Sequence, residues 1–139
     1  MKKYYHGSFN ELHVGQILIP TKDYINNWGN TDFYYWLEKY RPKEFLAHHE
    51  SVFMCDNIDD LDNAGAYTDF IFLVKPNSRI EKHDMFWSTS ISLALCDQKE
   101  EDYIKSIKAL ASNYWHGISS DEPVWEYLTT SAEIISVIE

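Results

Sequence analysis

Val124-Trp125-Glu126-Tyr127-Leu128, a short break, and Glu133-Ile134-Ile135-Ser136-Val137-Ile138 close the chain. Both runs are rich in β-branched and aromatic residues and too short for helices, so they read as two strands in a terminal hairpin. The first carries a lone carboxylate, Glu126, in apolar company, and charged groups are rarely buried without a partner or a task. Another short strand stands at the opposite end of the chain, Lys3 to His6, followed by Gly7.

Between these ends the pattern alternates. Gln16 to Ile19 is a strand closed by Pro20. Phe33, Trp36, Leu37 and Tyr40 fall at i, i+3, i+4 and i+7, one face of a helix that stops before Pro42. Ser51 to Cys55 is an apolar strand. Asp56 or Asn57 then caps a short helix with Asp59 and Asp60 in its first turn and Gly65 at its end. Asp69 to Lys75 reads as a core strand stopped by Pro76, and Arg79 to Met85 as an edge strand. The clearest helix runs from about Asp97 to His116. Asp97 and Glu100 resemble a capping box, Ile104, Ile107, Ala111 and Tyr114 make its buried stripe, and Gly117 is the residue just past its end. Ser88-Thr89-Ser90 reads as a loop or helix cap. Strands at both termini with a few short helices between them predict an α+β fold.

A chain of 139 residues is one domain's worth, 1–139, able to build a core without disulfides or metals. Apolar residues make up 45% of it and aromatics 16%, which excludes intrinsic disorder. No apolar run approaches the ~18 residues of a membrane span. Met1-Lys2-Lys3 leads into Tyr4-Tyr5-His6 rather than a signal-peptide core, so a cytoplasmic chain starting here is expected. Twelve basic and 22 acidic residues give a net charge of −10, which disfavours nucleic acid or an anionic membrane as partner. Cys55 and Cys96 lack a C-x-x-C spacing and read as two reduced, mostly buried thiols.

The standard nucleotide loops, the G-x-S-x-G elbow and H-E-x-x-H are absent. A calcium loop starting at Asp60 puts Ala64 and Ile71 where oxygen ligands are required, so the acidic run is a solvated helix start. His48-His49-Glu50 has no Cys or further His close by to complete a set, and adjacent strand residues point to opposite faces, so no metal site is expected.

Three segments carry more. Tyr5-His6-Gly7-Ser8 places an imidazole, a glycine that lets a ligand approach the backbone, and a hydroxyl at the end of the first strand. Ser51-Val52-Phe53-Met54 presents an aromatic ring just before a helix. Trp125-Glu126-Tyr127-Leu128 presents the carboxylate. In this order they resemble the diphtheria-toxin-like, His-Tyr-Glu branch of the ADP-ribosyltransferase superfamily, which includes the poly(ADP-ribose) polymerases and the rifampin-modifying transferases. The likeness runs from residue 4 to 138 on about fifteen positions, and Phe53 stands where that branch carries Tyr. The arginine-type branch fits less well: its first-strand Arg is replaced by His6, and its Glu-x-Glu pair is interrupted because Val124 precedes Glu126 by two.

The resemblance implies two small, mostly antiparallel sheets facing across an NAD+ cleft, with the 97–116 helix outside. It implies NAD+ as co-substrate, a protein acceptor and no metal. His6, Gly7, Ser8, Ser51, Phe53 and Glu126 would contact NAD+, with His6, Phe53 and Glu126 catalytic and gathered in one cleft. Mono-ADP-ribosyl transfer, as in small bacterial or phage effectors, is the implied activity. A non-catalytic binding module and an NAD+ glycohydrolase are its alternatives. A monomer or small homo-oligomer is expected.

Overall fold

Strand β1, Tyr4–Ser8, pairs along its length with β4, Phe70–Pro76, with His6 opposite Phe72. The computed structural model describes residues 2–64, 66–97 and 100–138, and of residues 97 and 100–103 only the backbone. β4 also pairs with β7, Ala132–Ile138, whose far edge takes the two-residue strand β2, Ile17–Leu18. The order is β1-β4-β7-β2, all antiparallel. A second antiparallel sheet has the order β3-β6-β5: Val52–Met54, Trp125–Thr129 and Glu81–Asp84. The fold is therefore α+β with two antiparallel sheets.

This corrects the expected terminal hairpin. β6 and β7 are consecutive in sequence but belong to different sheets. Thr130 and Ser131 carry the chain across, and Ser78 holds that crossing: its hydroxyl pairs with the Thr129 and Thr130 hydroxyls and accepts the Thr130 N–H. At the other corner the sheets touch through one bridge, where the backbones of Tyr5 and Cys55 exchange hydrogen bonds of 2.7 and 2.9 Å.

The helices are α1 (Asp23–Trp28), α2 (Asp32–Lys39), α3 (Ile58–Asn63), α4 (Phe86–Asp97) and α5 (Glu100–Trp115). α3 starts as the sequence indicates, with the Asn57 side chain accepting from the Asp59 N–H and two aspartates in the first turn. Its suggested end at Gly65 lies outside the described residues. α5 ends in a Schellman motif: Gly117 has φ +68°, its N–H bonds the Tyr114 carbonyl, and the Ile118 N–H bonds that of Asn113.

Other expectations need correcting. Ser88-Thr89-Ser90 is neither loop nor cap but lies within α4, because Asp84 Oδ1 accepts the Phe86 N–H and starts the helix earlier. Asp97 ends α4, and the side chains of the suggested capping box lie outside the description. Ile104 is exposed; the buried stripe of α5 is Ile107, Ala111, Tyr114 and Trp115. Cys55 is buried, whereas Cys96 is exposed. His48-His49-Glu50 forms a 3-10 turn, not a strand.

Two cores result. One lies between the sheets and contains Val52, Met54, Phe72, Val74, Tyr127 and Ile134. The other joins α2, α4 and α5 through Leu37, Ile91, Ile107, Ala111, Tyr114 and Trp115. Strand β6 serves both: Tyr127 enters the inter-sheet core, while its neighbour Glu126 meets Tyr114 of the helical layer. Strand alternation thus presses Glu126 against the helices.

Candidate functional site

A cavity of about 570 Å³ opens where β1 meets β3. This is within the range of small-molecule sites. Its wall contains all six residues singled out from the sequence: His6, Gly7, Ser8, Ser51, Phe53 and Glu126. Tyr24 and Trp28 from α1 complete one side, and Asn10, Thr21 and Asn27 add neutral polar groups. Asp23 and Glu126 are the charged liners among the described residues.

His6 bonds directly to the Phe53 segment: Nδ1–H donates to the Phe53 carbonyl at 2.8 Å. Burial lowers the His6 pKa, so the ring is held neutral, with Nε2 as its remaining acceptor. Gly7 is required by the chain itself, because a Cβ there would collide with the Tyr67 carbonyl oxygen. Ser8 Oγ accepts the Asn10 N–H at 3.0 Å, and Ser51 Oγ donates to the Ala47 carbonyl at 2.7 Å. These hydroxyls order their own loops as well as lining the cavity.

Phe53 is not a bare platform. Tyr24 stacks on it with centroids 5.0 Å apart and planes 12° from parallel. The His48 ring meets Phe53 edge-on at 5.7 Å.

Glu126 is 6% exposed. Its Oε2 accepts from the Tyr114 hydroxyl at 3.3 Å. Among the described residues Oε1 has no hydrogen-bond partner and is not sealed from solvent, and Glu126 lines the cavity. Burial pushes the carboxyl pKa up to about 8, with the Tyr114 hydrogen bond opposing part of that rise. Behind it the polar chain continues. The Tyr114 hydroxyl meets His48 Nε2 at 2.6 Å, and His48 Nδ1 meets the Tyr24 hydroxyl at 2.9 Å. Below Tyr114, the buried His83 ring stacks at 4.6 Å and donates from Nδ1 to the Tyr114 carbonyl at 2.8 Å.

The sequence does not mark this second layer: His48 reads there only as a metal-ligand candidate and Tyr114 only as core, and nothing sets Tyr24 apart. No local spacing marks them, because they come from a 3-10 turn, α5 and α1. Among the described residues no group of three or more His, Cys, Asp or Glu could hold a metal ion. No family model matches the chain, and no curated protein matches it either.

Proposed function

We propose that the chain cleaves the nicotinamide–ribose bond of NAD+ and transfers ADP-ribose to a protein acceptor. One observation carries the reading. Glu126 presents a single open carboxylate oxygen to a cavity whose wall also holds His6 and Phe53, as the resemblance of the three segments requires. NAD+ supplies a cationic ring that is already a good leaving group. Phe53 and Tyr24 offer the aromatic surface for that ring; a cation over such a face gains about 0.5–2 kcal/mol. His6 Nε2 and the backbone at Gly7 would hold polar edges of the ligand. With no Lys or Arg among the described liners, the diphosphate would rest on backbone N–H groups and on Ser8, Asn10, Thr21 and Asn27.

Glu126 performs the electrostatic work. As the C–N bond breaks, nicotinamide leaves with the bonding electrons and positive charge grows on the ribose. The carboxylate stabilises that charge more in the transition state than in the ground state. The acceptor nucleophile then bonds to the ribose carbon and gives up its proton to cavity water. The working form of Glu126 is ionised, so kcat/KM rises with pH up to about 8.

The test is nicotinamide release and protein labelling from NAD+, with and without a cell lysate as acceptor source. Lysate-dependent labelling supports the transferase, and release without lysate supports a glycohydrolase. Glu126→Gln should lower turnover about 10²–10³-fold per folded molecule. A second reading, a non-catalytic binding module, is favoured by the Tyr24 ring already stacked on Phe53. Absence of both NAD+ binding and nicotinamide release would select it.

A further inference from the structure

We propose that Tyr24, His48 and Tyr114 form a proton path that joins Glu126 to a second point on the wall of the same cavity. Tyr24 and His48 are thereby positioning residues for the carboxylate. The proposal rests on the reading of Glu126 as the reactive group for its part in turnover, and its test reads the carboxylate directly.

The chain is continuous: Glu126 Oε2 to Tyr114 Oη at 3.3 Å, Tyr114 Oη to His48 Nε2 at 2.6 Å, His48 Nδ1 to Tyr24 Oη at 2.9 Å. Both ends, Glu126 and Tyr24, line the cavity, whereas His48 and Tyr114 are buried behind it, 2% and 0% exposed. His48 is neutral: burial, with His83, Arg41 and His49 around it, pushes its pKa down to about 3. A neutral imidazole has one N–H, so it donates on one side and accepts on the other. The chain therefore has a direction, and the direction is tied to Glu126.

With Glu126 ionised, the Tyr24 O–H donates to His48 Nδ1, His48 Nε2–H donates to Tyr114, and the Tyr114 O–H donates to Oε2. With the proton on Oε2 every bond reverses, and the Tyr24 O–H is released from His48 on a residue that lines the cavity. Passing from the second state to the first moves one proton along each link. It goes from Glu126 to Tyr114, from Tyr114 to His48 Nε2, from His48 Nδ1 to Tyr24, and from Tyr24 to a cavity water. One proton leaves, and only Glu126 changes charge. A ligand seated on Oε1 thus leaves Glu126 an exit for its proton at Tyr24.

The titratable groups around the path are few. Glu126 is faced by Tyr114, Tyr24 and Cys55, and by His83 as its cross-strand neighbour. Glu81 lies near Tyr114, while Tyr34 and Glu38 lie near Tyr24.

The test follows the Glu126 carboxyl carbon by NMR across pH in the free protein, its signal assigned by its loss in Glu126→Gln. Tyr114→Phe should raise the titration midpoint by about one pH unit, because it removes the carboxylate's donor. Tyr24→Phe does not touch Oε2, yet it should raise the midpoint by about half a unit, since its hydroxyl polarises the chain toward the ionised form. The double variant should shift no further than Tyr114→Phe, because the path is already broken. Tyr34→Phe, whose hydroxyl pairs with His49 instead, should leave it unmoved. An unmoved midpoint in Tyr24→Phe, or additive shifts in the double variant, overturns the path. If Tyr114→Phe does not fold, Tyr24→Phe, which keeps its ring on Phe53, decides alone. The readout needs no NAD+, so absence of nicotinamide release would defeat the functional reading without touching this one.

Discussion

Tyr24 of α1 and Phe53 of β3 stack face to face, ring centroids 5.0 Å apart, and the contact joins the helix beside the cavity to the sheet beneath it. A stacked pair of this kind is worth about 0.5–1.5 kcal/mol beyond its buried area. A double-mutant cycle of Tyr24→Ala and Phe53→Ala, read by urea unfolding, should return a coupling energy of that size. Strictly additive losses would mean the stack does not persist in solution.

Glu126 should make the protein less stable as the pH rises. Its carboxyl pKa is raised from 4.5 to about 8 in the fold, so the folded state holds the proton that the unfolded chain releases. The stability associated with that proton is complete below about 4.5 and is lost as pH climbs through about 8. Glu126→Gln keeps an acceptor for Tyr114 and removes the titration. Its free energy of unfolding, read by urea titration at each pH, should gain on the wild type steadily between these pH values, at up to about 1.4 kcal/mol per pH unit, and level off above them. A pH-independent difference would place the ionised carboxylate in a better-solvated setting.

Gly7 answers to packing. Gly7→Ala sets a methyl against the Tyr67 carbonyl, so β1 or the 66–67 segment must shift. The expected cost is about 1–3 kcal/mol, with weakening of the neighbouring His6–Phe53 hydrogen bond. Thermal melts measure the first, and the His6 ring titration by NMR reports the second. A fully tolerated alanine would show that this close approach is not made.

Asp84 organises the approach to β6. Its fully buried carboxylate accepts the N–H groups of Phe86 (3.0 Å), Ser120 (2.7 Å) and Val124 (3.0 Å). Asp84→Ala leaves three backbone donors without their acceptor and should cost about 3 kcal/mol or more. Hydrogen exchange should rise first at the start of α4 and across 120–124. Asp84→Asn, which keeps one acceptor oxygen, should be milder.

Much of the local structure is legible in the chain itself. The spacing of Phe33, Trp36, Leu37 and Tyr40 is a helical face whoever its partners are, and Leu37 is its fully buried member. The Asn57 cap and the Gly117 end of α5 depend on backbone groups within five residues. Ser51 to Cys55, Asp69 to Lys75 and the two final runs read as strands from their apolar, β-branched and aromatic residues, whichever strands they pair with. Which sheet each strand joins was decided only by the tertiary structure. A strand's hydrogen-bonding edge is alike whichever partner it meets, so β6 and β7 read as a hairpin, although each pairs with strands distant in sequence. The site divides along the same line. His6, Phe53 and Glu126 are legible only together, through the order of their three segments and the resemblance that order carries. Tyr24, His48 and Tyr114 look like ordinary aromatic and core residues, because a hydrogen bond between α1, a 3-10 turn and α5 leaves no mark in local spacing. Glu126 shows both influences: its place in an apolar strand was legible at once, but its raised pKa comes from burial against a helix that the chain brings to it in space.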